Sequence, residues 1–233
     1  MGREWSFGSF FLPCGKTNLK ERITDLSYKI KEIFYTLQGE GFHAGRAAVF
    51  VRFSGCNLWS GREEDRQKAI CQFCDTEFVG TDGQNGGTYS TDQLIRKIKE
   101  LWPNDGSIFI VCTGGEPLLQ LDQELVDALR KNKIYIAVET NGTKLAPKGI
   151  DWICVSPKAN APLLLTKGHE LKLVFPQKGI QPSDFEHLDF EHFFLQPMAG
   201  HWIKAHTHES VLYCLAHPKW KISVQLHKIL GID

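Results

Sequence analysis

The sequence predicts an α/β fold built from parallel strand–helix units. Short runs rich in β-branched and aromatic residues recur along the chain. Helical patterns with one apolar face fall between several of them. Polar clusters stand where the runs end, the place where parallel architectures gather functional groups. At 233 residues the chain is long enough for one large domain or two small ones with a sizeable core.

Residues 1–27 show no clean period and mix Gly, Pro, Lys and Glu, so they read as a poorly ordered extension to a folded unit over 28–233. Strands are expected at 48–53, 108–111, 134–138, 152–155, 171–175, 193–195 and 222–226. The segment TDQLIRKIKELW places Leu94, Ile95, Ile98, Leu101 and Trp102 on one helical face, with Ser90 and Gln93 at capping-box spacing before it. A second helix is expected in LLQLDQELVDALRKN, with Leu118, Leu121, Leu125, Val126 and Leu129 on one face, and a weaker third over 207–216. Residues 159–189, with three prolines, are the hardest to read. Cys56 follows the first strand, residues 113–116 the second, 139–142 the third, 156–158 the fourth and Gln196 the sixth.

Composition narrows the function classes. Lys plus Arg is 27 and Asp plus Glu is 27, a formal net charge of +0. That balance argues against a broad cationic surface for nucleic acid and leaves room for a small basic pocket. No apolar run approaches the ~18 residues that span a bilayer, and the N-terminus does not read as a secretory signal. The expected setting is therefore cytoplasmic, with no membrane partner. Seven cysteines cannot all close into disulfides. Cys112, Cys154 and Cys214 lie among apolar residues and read as small core side chains, while Cys14 falls in the extension. His201, His206 and His208 read as a solvated turn.

The other three, Cys56, Cys71 and Cys74, form C-x14-C-x2-C around a charged loop that does not read as core. A structural zinc ion needs a fourth ligand, for which His43 is a candidate. A 4Fe–4S cluster held by three thiolates leaves one iron open for another ligand. Spacing alone leaves both readings open. Thr113-Gly114-Gly115-Glu116-Pro117 could likewise be a plain turn before a helix. Cysteines after the first strand and GGEP after the second together resemble the radical S-adenosylmethionine superfamily. That resemblance implies a partial, open TIM-like βα barrel, with an open iron that chelates S-adenosylmethionine.

A narrower resemblance follows from Leu37-Gln38-Gly39-Glu40-Gly41, Arg52, the cysteines, Cys74-Asp75-Thr76, Glu139-Thr140-Asn141-Gly142, Ser156-Pro157-Lys158, Gln196-Pro197 and His227. In this order they resemble the 7-carboxy-7-deazaguanine synthase family, where the long cysteine spacing is a known variant. The resemblance implies a carbon–nitrogen lyase that converts 6-carboxy-5,6,7,8-tetrahydropterin to 7-carboxy-7-deazaguanine with loss of ammonia, in deazapurine and queuosine precursor biosynthesis. It implies a 4Fe–4S cluster on Cys56, Cys71 and Cys74, and magnesium at Thr76. Phe73, Cys74, Asp75, Gly115, Glu116, Ser156, Pro157, Lys158, Gln196, Pro197, Met198 and Ala199 are implied to line the S-adenosylmethionine site. Leu37, Gln38, Gly39, Glu40, Arg52, Thr113 and His227 are implied to bind the pterin, with Glu139 a catalytic candidate at its strand end. The terminal carboxylate of Asp233 is implied to reach the substrate, although the family carries proline there. A homodimer and an electron donor such as flavodoxin are expected on the same ground. Two alternatives stand beside this reading: a glycyl-radical activating enzyme, and a zinc-stabilised binding module.

Overall fold

The computed structural model describes residues 1–2, 27–103 and 105–232. The expected extension, apart from its two ends, therefore lies outside the described residues, as do Cys14 and Asp233. The strands are β1 (Ser27–Leu37), β2 (Ala47–Phe53), β3 (Gly87–Ser90), β4 (Phe109–Gly114), β5 (Tyr135–Thr140), β6 (Trp152–Val155), β7 (Lys167–Phe175), β8 (Asp189–Pro197) and β9 (Trp220–Ile222). The helices are α1 (Thr91–Leu101), α2 (Gln123–Lys131), α3 (Ile203–Ala216) and the short α4 (Leu226–Leu230).

All nine strands form one sheet in the order β3-β1-β2-β4-β5-β6-β7-β8-β9. From β2 to β9 each neighbouring pair is parallel, and β1 runs antiparallel to both β2 and β3. Among the described residues β3 and β9 are edges, so the sheet does not close, as the expected open barrel requires.

The two faces differ because side chains alternate along each strand. Val51 and Phe53 of β2, Ile110 and Cys112 of β4, Ile136 and Val138 of β5, and Leu171 and Leu173 of β7 face the helices. There they pack with Leu94, Ile95 and Ile98 of α1 and Leu125, Val126 and Leu129 of α2. The opposite, inner face carries a small apolar cluster of Ala48, Phe109, Val111, Ala137, Trp152 and Cys154 at the starts and middles of the strands. Toward the strand ends that face turns polar.

Several boundaries differ from the sequence reading. Strand β1 was not expected, because a register shift between Ile30 and Glu32 breaks its alternation: Tyr28 and Ile30 are buried, then Ile33 and Phe34 in succession. Four-residue β3 contains a glycine and has too little pattern to read. The capping box before α1 is present, with both Ser90–Gln93 hydrogen bonds made. In the second helical segment Pro117–Leu119 forms a 3-10 turn and Asp122 caps α2, yet all five expected apolar residues reach the core. The strand expected at 222–226 is β9 ending at Ile222, followed by α4 beginning at Leu226. Helix α3 starts at Ile203 and includes His206 and His208, which the sequence had placed in a turn. Cys112 and Cys154 are buried, while Cys214 is half-buried against the core. No described helix is long and apolar enough to cross a membrane.

Leu173 is fully buried in the central parallel strand β7. Leu173→Ala is expected to lower unfolding free energy by about 2–5 kcal/mol, measured as a shift in denaturant midpoint.

Candidate active site

The loop between β1 and β2 folds into the inner face and forms its floor. Phe42 stacks on His192 at 4.4 Å and on Trp152 at 4.9 Å between ring centroids. His43 packs edge-on against Trp152 and Phe109, and the Arg46 guanidinium lies 3.8 Å from the Phe109 ring centroid. His43 thus sits at the starts of β4 and β6, whereas the cysteines follow the end of β2. The structure does not bring it to them as a fourth zinc ligand. Burial, aided by Arg46, lowers the His43 pKa to about 4 and keeps the ring neutral.

Above this floor the loop presents Gln38, Gly39 and Glu40 to a cavity of ≈ 380 Å³. Both glycines are required by close neighbours. A Cβ on Gly39 would collide with the His227 ring. One on Gly41 would collide with the Glu170 carboxylate, and Gly41 also has φ +66. Glu170 accepts a hydrogen bond from the Phe42 N–H at 3.1 Å.

Charge in the cavity is organised around Lys172, whose side chain is 3% exposed. Its ammonium donates to Glu40 Oε2 at 2.6 Å and Glu139 Oε2 at 2.8 Å. Burial opposes charge on Lys172, but Glu139 and Glu40 outweigh it and hold it protonated. Burial also opposes charge on Glu40, yet Lys172, the Gln225 amide and His227 keep its pKa down at about 2, and Gln196 donates to the same carboxylate at 3.0 Å. On the far side Arg52 uses Nε to bond Glu32 at 2.7 Å, an ion pair between directly paired residues of β1 and β2.

The cysteine loop is closed by its own backbone. Leu58 O accepts from the amides of Ile70 and Cys71 at 3.1 and 3.2 Å, which returns Cys71 to the strand end that carries Cys56. Most of the insertion is solvated, but Leu58 and Trp59 are buried, contrary to the expectation that none of it is core. Arg66 lies over the Trp59 ring and donates to the carbonyls of Gln72 and Cys74, both at 3.1 Å. Cys71 and Cys74 share a hydrogen bond that lowers the Cys74 pKa to about 6 and raises that of Cys71, while burial raises Cys56.

Gly114 and Gly115 let the end of β4 cross the end of β2 at contact distance. A Cβ on Gly115 would strike Gly55 and Cys56, and Glu116 N–H donates to Gly55 O at 2.9 Å. Glu116 itself is fully buried. It accepts from Thr140 Oγ1 at 2.7 Å, Asn141 N–H at 2.8 Å and Leu118 N–H at 3.0 Å. Asn141 and Thr143 in turn bond Asn57, next to Cys56.

The structure therefore brings Leu37, Gln38, Gly39, Glu40, Arg52, Thr113, Glu139 and His227 to one cavity with Cys56, Cys71, Phe73, Cys74, Asp75 and Thr76. Gly115, Ser156, Lys158, Gln196, Pro197 and Ala199 line it too. Lys158 bonds the Ser156 carbonyl and hydroxyl, with its ammonium 6.0 Å from the Phe73 ring centroid. Glu116, Pro157 and Met198 do not line the cavity. Glu116 braces loops, Pro157 O accepts from Gln177, and Met198, just past β8, bonds Phe175 of β7 and His206 of α3. Sequence reasoning missed Lys172, Gln225 and Lys228 in the lining, and Arg66 beneath it. Only Lys172 left a trace, as a lysine between apolar residues in an expected strand.

Among the described residues no group of three or more His, Cys, Asp or Glu converges as a single metal ion would require. The three thiols all border the cavity. Residues 68–166 match the model of the radical SAM superfamily, which places Cys71, Cys74 and the GGEP loop within a class defined by a 4Fe–4S cluster and S-adenosylmethionine. The chain belongs to the 7-carboxy-7-deazaguanine synthase family. It is 59% identical over 211 residues to the 7-carboxy-7-deazaguanine synthase of Caulobacter vibrioides, covering 89% of this chain and 100% of that protein. It is 57% identical over 209 residues to that of Burkholderia multivorans, with the same coverage. The crystal structure of QueE from Escherichia coli superposes with TM-score 0.67 at 27% identity, over 86% of this chain and 95% of that one.

Two substitutions test this geometry. Gly41→Ala is expected to cost at least about 1–2 kcal/mol from the left-handed backbone alone, read as a lower melting temperature. Arg66→Ala removes two charge-assisted bonds, each worth about 1.5–3 kcal/mol, from the C-x2-C turn. It is expected to lower the melting temperature of the iron-free protein and to lower iron uptake on anaerobic reconstitution.

Proposed function

We propose that this protein is the radical S-adenosylmethionine lyase that converts 6-carboxy-5,6,7,8-tetrahydropterin to 7-carboxy-7-deazaguanine with loss of ammonia. One observation carries the reading: the LQGEG loop, Arg52 and the three thiols line a single cavity. A pterin-binding group and a cluster-binding group are thereby within reach of one bound molecule.

In this reading Cys56, Cys71 and Cys74 hold the 4Fe–4S cluster, with S-adenosylmethionine against Phe73, Asp75, Gly115, Ser156, Lys158, Gln196, Pro197 and Ala199. When bound, these two groups supply the one-electron chemistry that starts the rearrangement. The chain's own residues position and enclose the pterin. Arg52, its Nε fixed by Glu32, turns the rest of its guanidinium fork toward the substrate carboxylate. Gln38, Glu40 and backbone groups of Gly39 meet the pterin's amide and amine edge. Thr113, in register with Arg52, completes that wall. His227 on α4 covers the pocket from above, where Leu226 N–H bonds Gly39 O at 2.8 Å and Lys228 bonds Asp75 at 2.6 Å. These contacts exclude water from the reacting centre. Glu139 faces the substrate from β5, with Lys172 behind it. Thr76 offers a hard oxygen to magnesium. The terminal carboxylate of Asp233 and a flavodoxin-like reductant belong to the same proposal. A homodimer does too, supported by the exposed apolar residues Leu212, Leu215, Ile229 and Leu230.

Anaerobic reconstitution of the full chain with iron and sulfide is expected to give a brown protein. With reductant, S-adenosylmethionine and 6-carboxytetrahydropterin it should form 7-carboxy-7-deazaguanine, detected by mass spectrometry. Combined Cys56→Ala, Cys71→Ala and Cys74→Ala should abolish both colour and product. Stoichiometric zinc without iron uptake, or a competent cluster that yields no deazapurine, would sink the proposal.

A further inference from the structure

We propose that Lys172 is a positioning residue for the substrate-binding loop, holding Gln38 and Glu40 in place through a closed ring of hydrogen bonds. This rests on the function proposed above. The ring runs from Lys172 Nζ to Glu139 Oε2 at 2.8 Å, and from Gln38 Nε2 to Glu139 Oε1 at 2.8 Å. It continues from Glu40 N–H to Gln38 Oε1 at 3.1 Å and closes from Lys172 Nζ to Glu40 Oε2 at 2.6 Å. Gln38 is thereby held with its NH2 toward Glu139 and its carbonyl toward the loop backbone. Each of the two carboxylates gives one oxygen to the same ammonium.

The strand that carries Lys172 touches the loop twice. Glu170 and Lys172 are two apart on β7 and point to the same inner face. Glu170 grips the Phe42 N–H, and its carboxylate occupies the space beside Gly41. Lys172 grips the side chain of Glu40. The loop is thus registered against β7 at consecutive positions.

The charge balance explains why a lysine is needed. Among the described residues, Glu40 faces Lys172 from β7 and His227 from α4, with Gln196 from β8 and Gln225 donating amide hydrogens. Lys172 also faces Glu139, Glu170 and Cys154, so it is the fixed cation among several acidic groups. Without it, burial would be the dominant influence on Glu40 and would favour the protonated carboxyl. A neutral Glu40 would bond the substrate's amine edge differently, and Gln38 would lose the anchor of its ring.

Lys172→Met in the full chain tests this. Wild type should show no acid limb from Glu40 in log(kcat/KM) between pH 6 and 9, since Glu40 stays ionised throughout. The variant should acquire one, losing about tenfold per pH unit below the new Glu40 pKa, carried by KM rather than kcat. Iron content should match wild type. Adding Glu40→Gln to Lys172→Met should abolish the acid limb. An unchanged KM and pH profile in a folded, fully loaded variant would overturn the proposal, as would a fall in kcat alone. Should Lys172→Met not fold, Lys172→Arg keeps the charge and displaces the ring: a raised KM without an acid limb is expected, and an unchanged KM refutes the positioning role. A wild-type chain that makes product beside an unaffected variant defeats only this inference. A wild-type chain that neither binds the pterin by calorimetry nor converts it defeats both.

Discussion

A carboxylate with no exposure to solvent ties the three loops on which the site is built. Glu116 ends the GGEP turn, and its oxygens are taken by Thr140, Asn141 and the first amide of the following 3-10 turn. Burial raises its pKa, and those donors act against the shift. A buried carboxylate without partners costs several kcal/mol, so the loops after β4 and β5 cannot separate without exposing that cost. Through Asn141 and Asn57 the constraint reaches the residue next to Cys56. Gly114 and Gly115 make it possible, because no residue with a Cβ could bring β4 so close to Gly55 and Cys56. The motif therefore serves as structure first. Its acid, expected to line the cofactor site, has its oxygens taken up within the protein, while Gly115 stands at the cavity wall.

A second constraint comes from the sheet. Its helix-covered face is continuously apolar, so every polar group carried by a strand interior must point the other way. On β7 the alternation buries Leu171 and Leu173 among helices and leaves Glu170 and Lys172 inside the barrel. There they meet a loop that cannot have been placed by strand pairing, because it connects antiparallel strands at the far end. Stacking of Phe42, His43 and Arg46 on the aromatic floor carries it inward. Both glycines of LQGEG record the tightness of that fit, one against His227 and the other against Glu170. Floor, wall and cover of the pocket are thus parts of one packing solution.

Much of this was legible in the sequence. Runs of β-branched and aromatic residues gave β2 and β4 through β8, and 3.6-residue patterns gave α1 and the core residues of α2, since burial is imprinted on composition and period locally. The motifs gave most of the cavity lining. What was illegible had particular causes. The bulge after Ile30 erased the alternation of β1. Leu226 reads as the end of a strand over 222–226 because α4 has no buried side chain to impose a helical period. Glu116 and Met198 looked like ligand contacts from their motifs, but which way a loop side chain turns depends on partners distant in the chain. Arg66, Gln225 and Lys228 were lost among ordinary surface charges, and His43 seemed available to the cysteines only because nothing local set its place.

By itself, then, the sequence determined the parallel α/β plan, the three-cysteine motif and the family, since these rest on local periodicity and on chemistry carried by ordered motifs. Tertiary structure alone decided that Lys172 belongs to the site, that the β1–β2 loop is its floor, and that Glu116 is a brace. The first and last depend on hydrogen bonds between residues 132 and 24 positions apart, and the floor on ring stacking against β6 and β8. Buried polar groups choose their partners by proximity in space, and no local pattern encodes that choice.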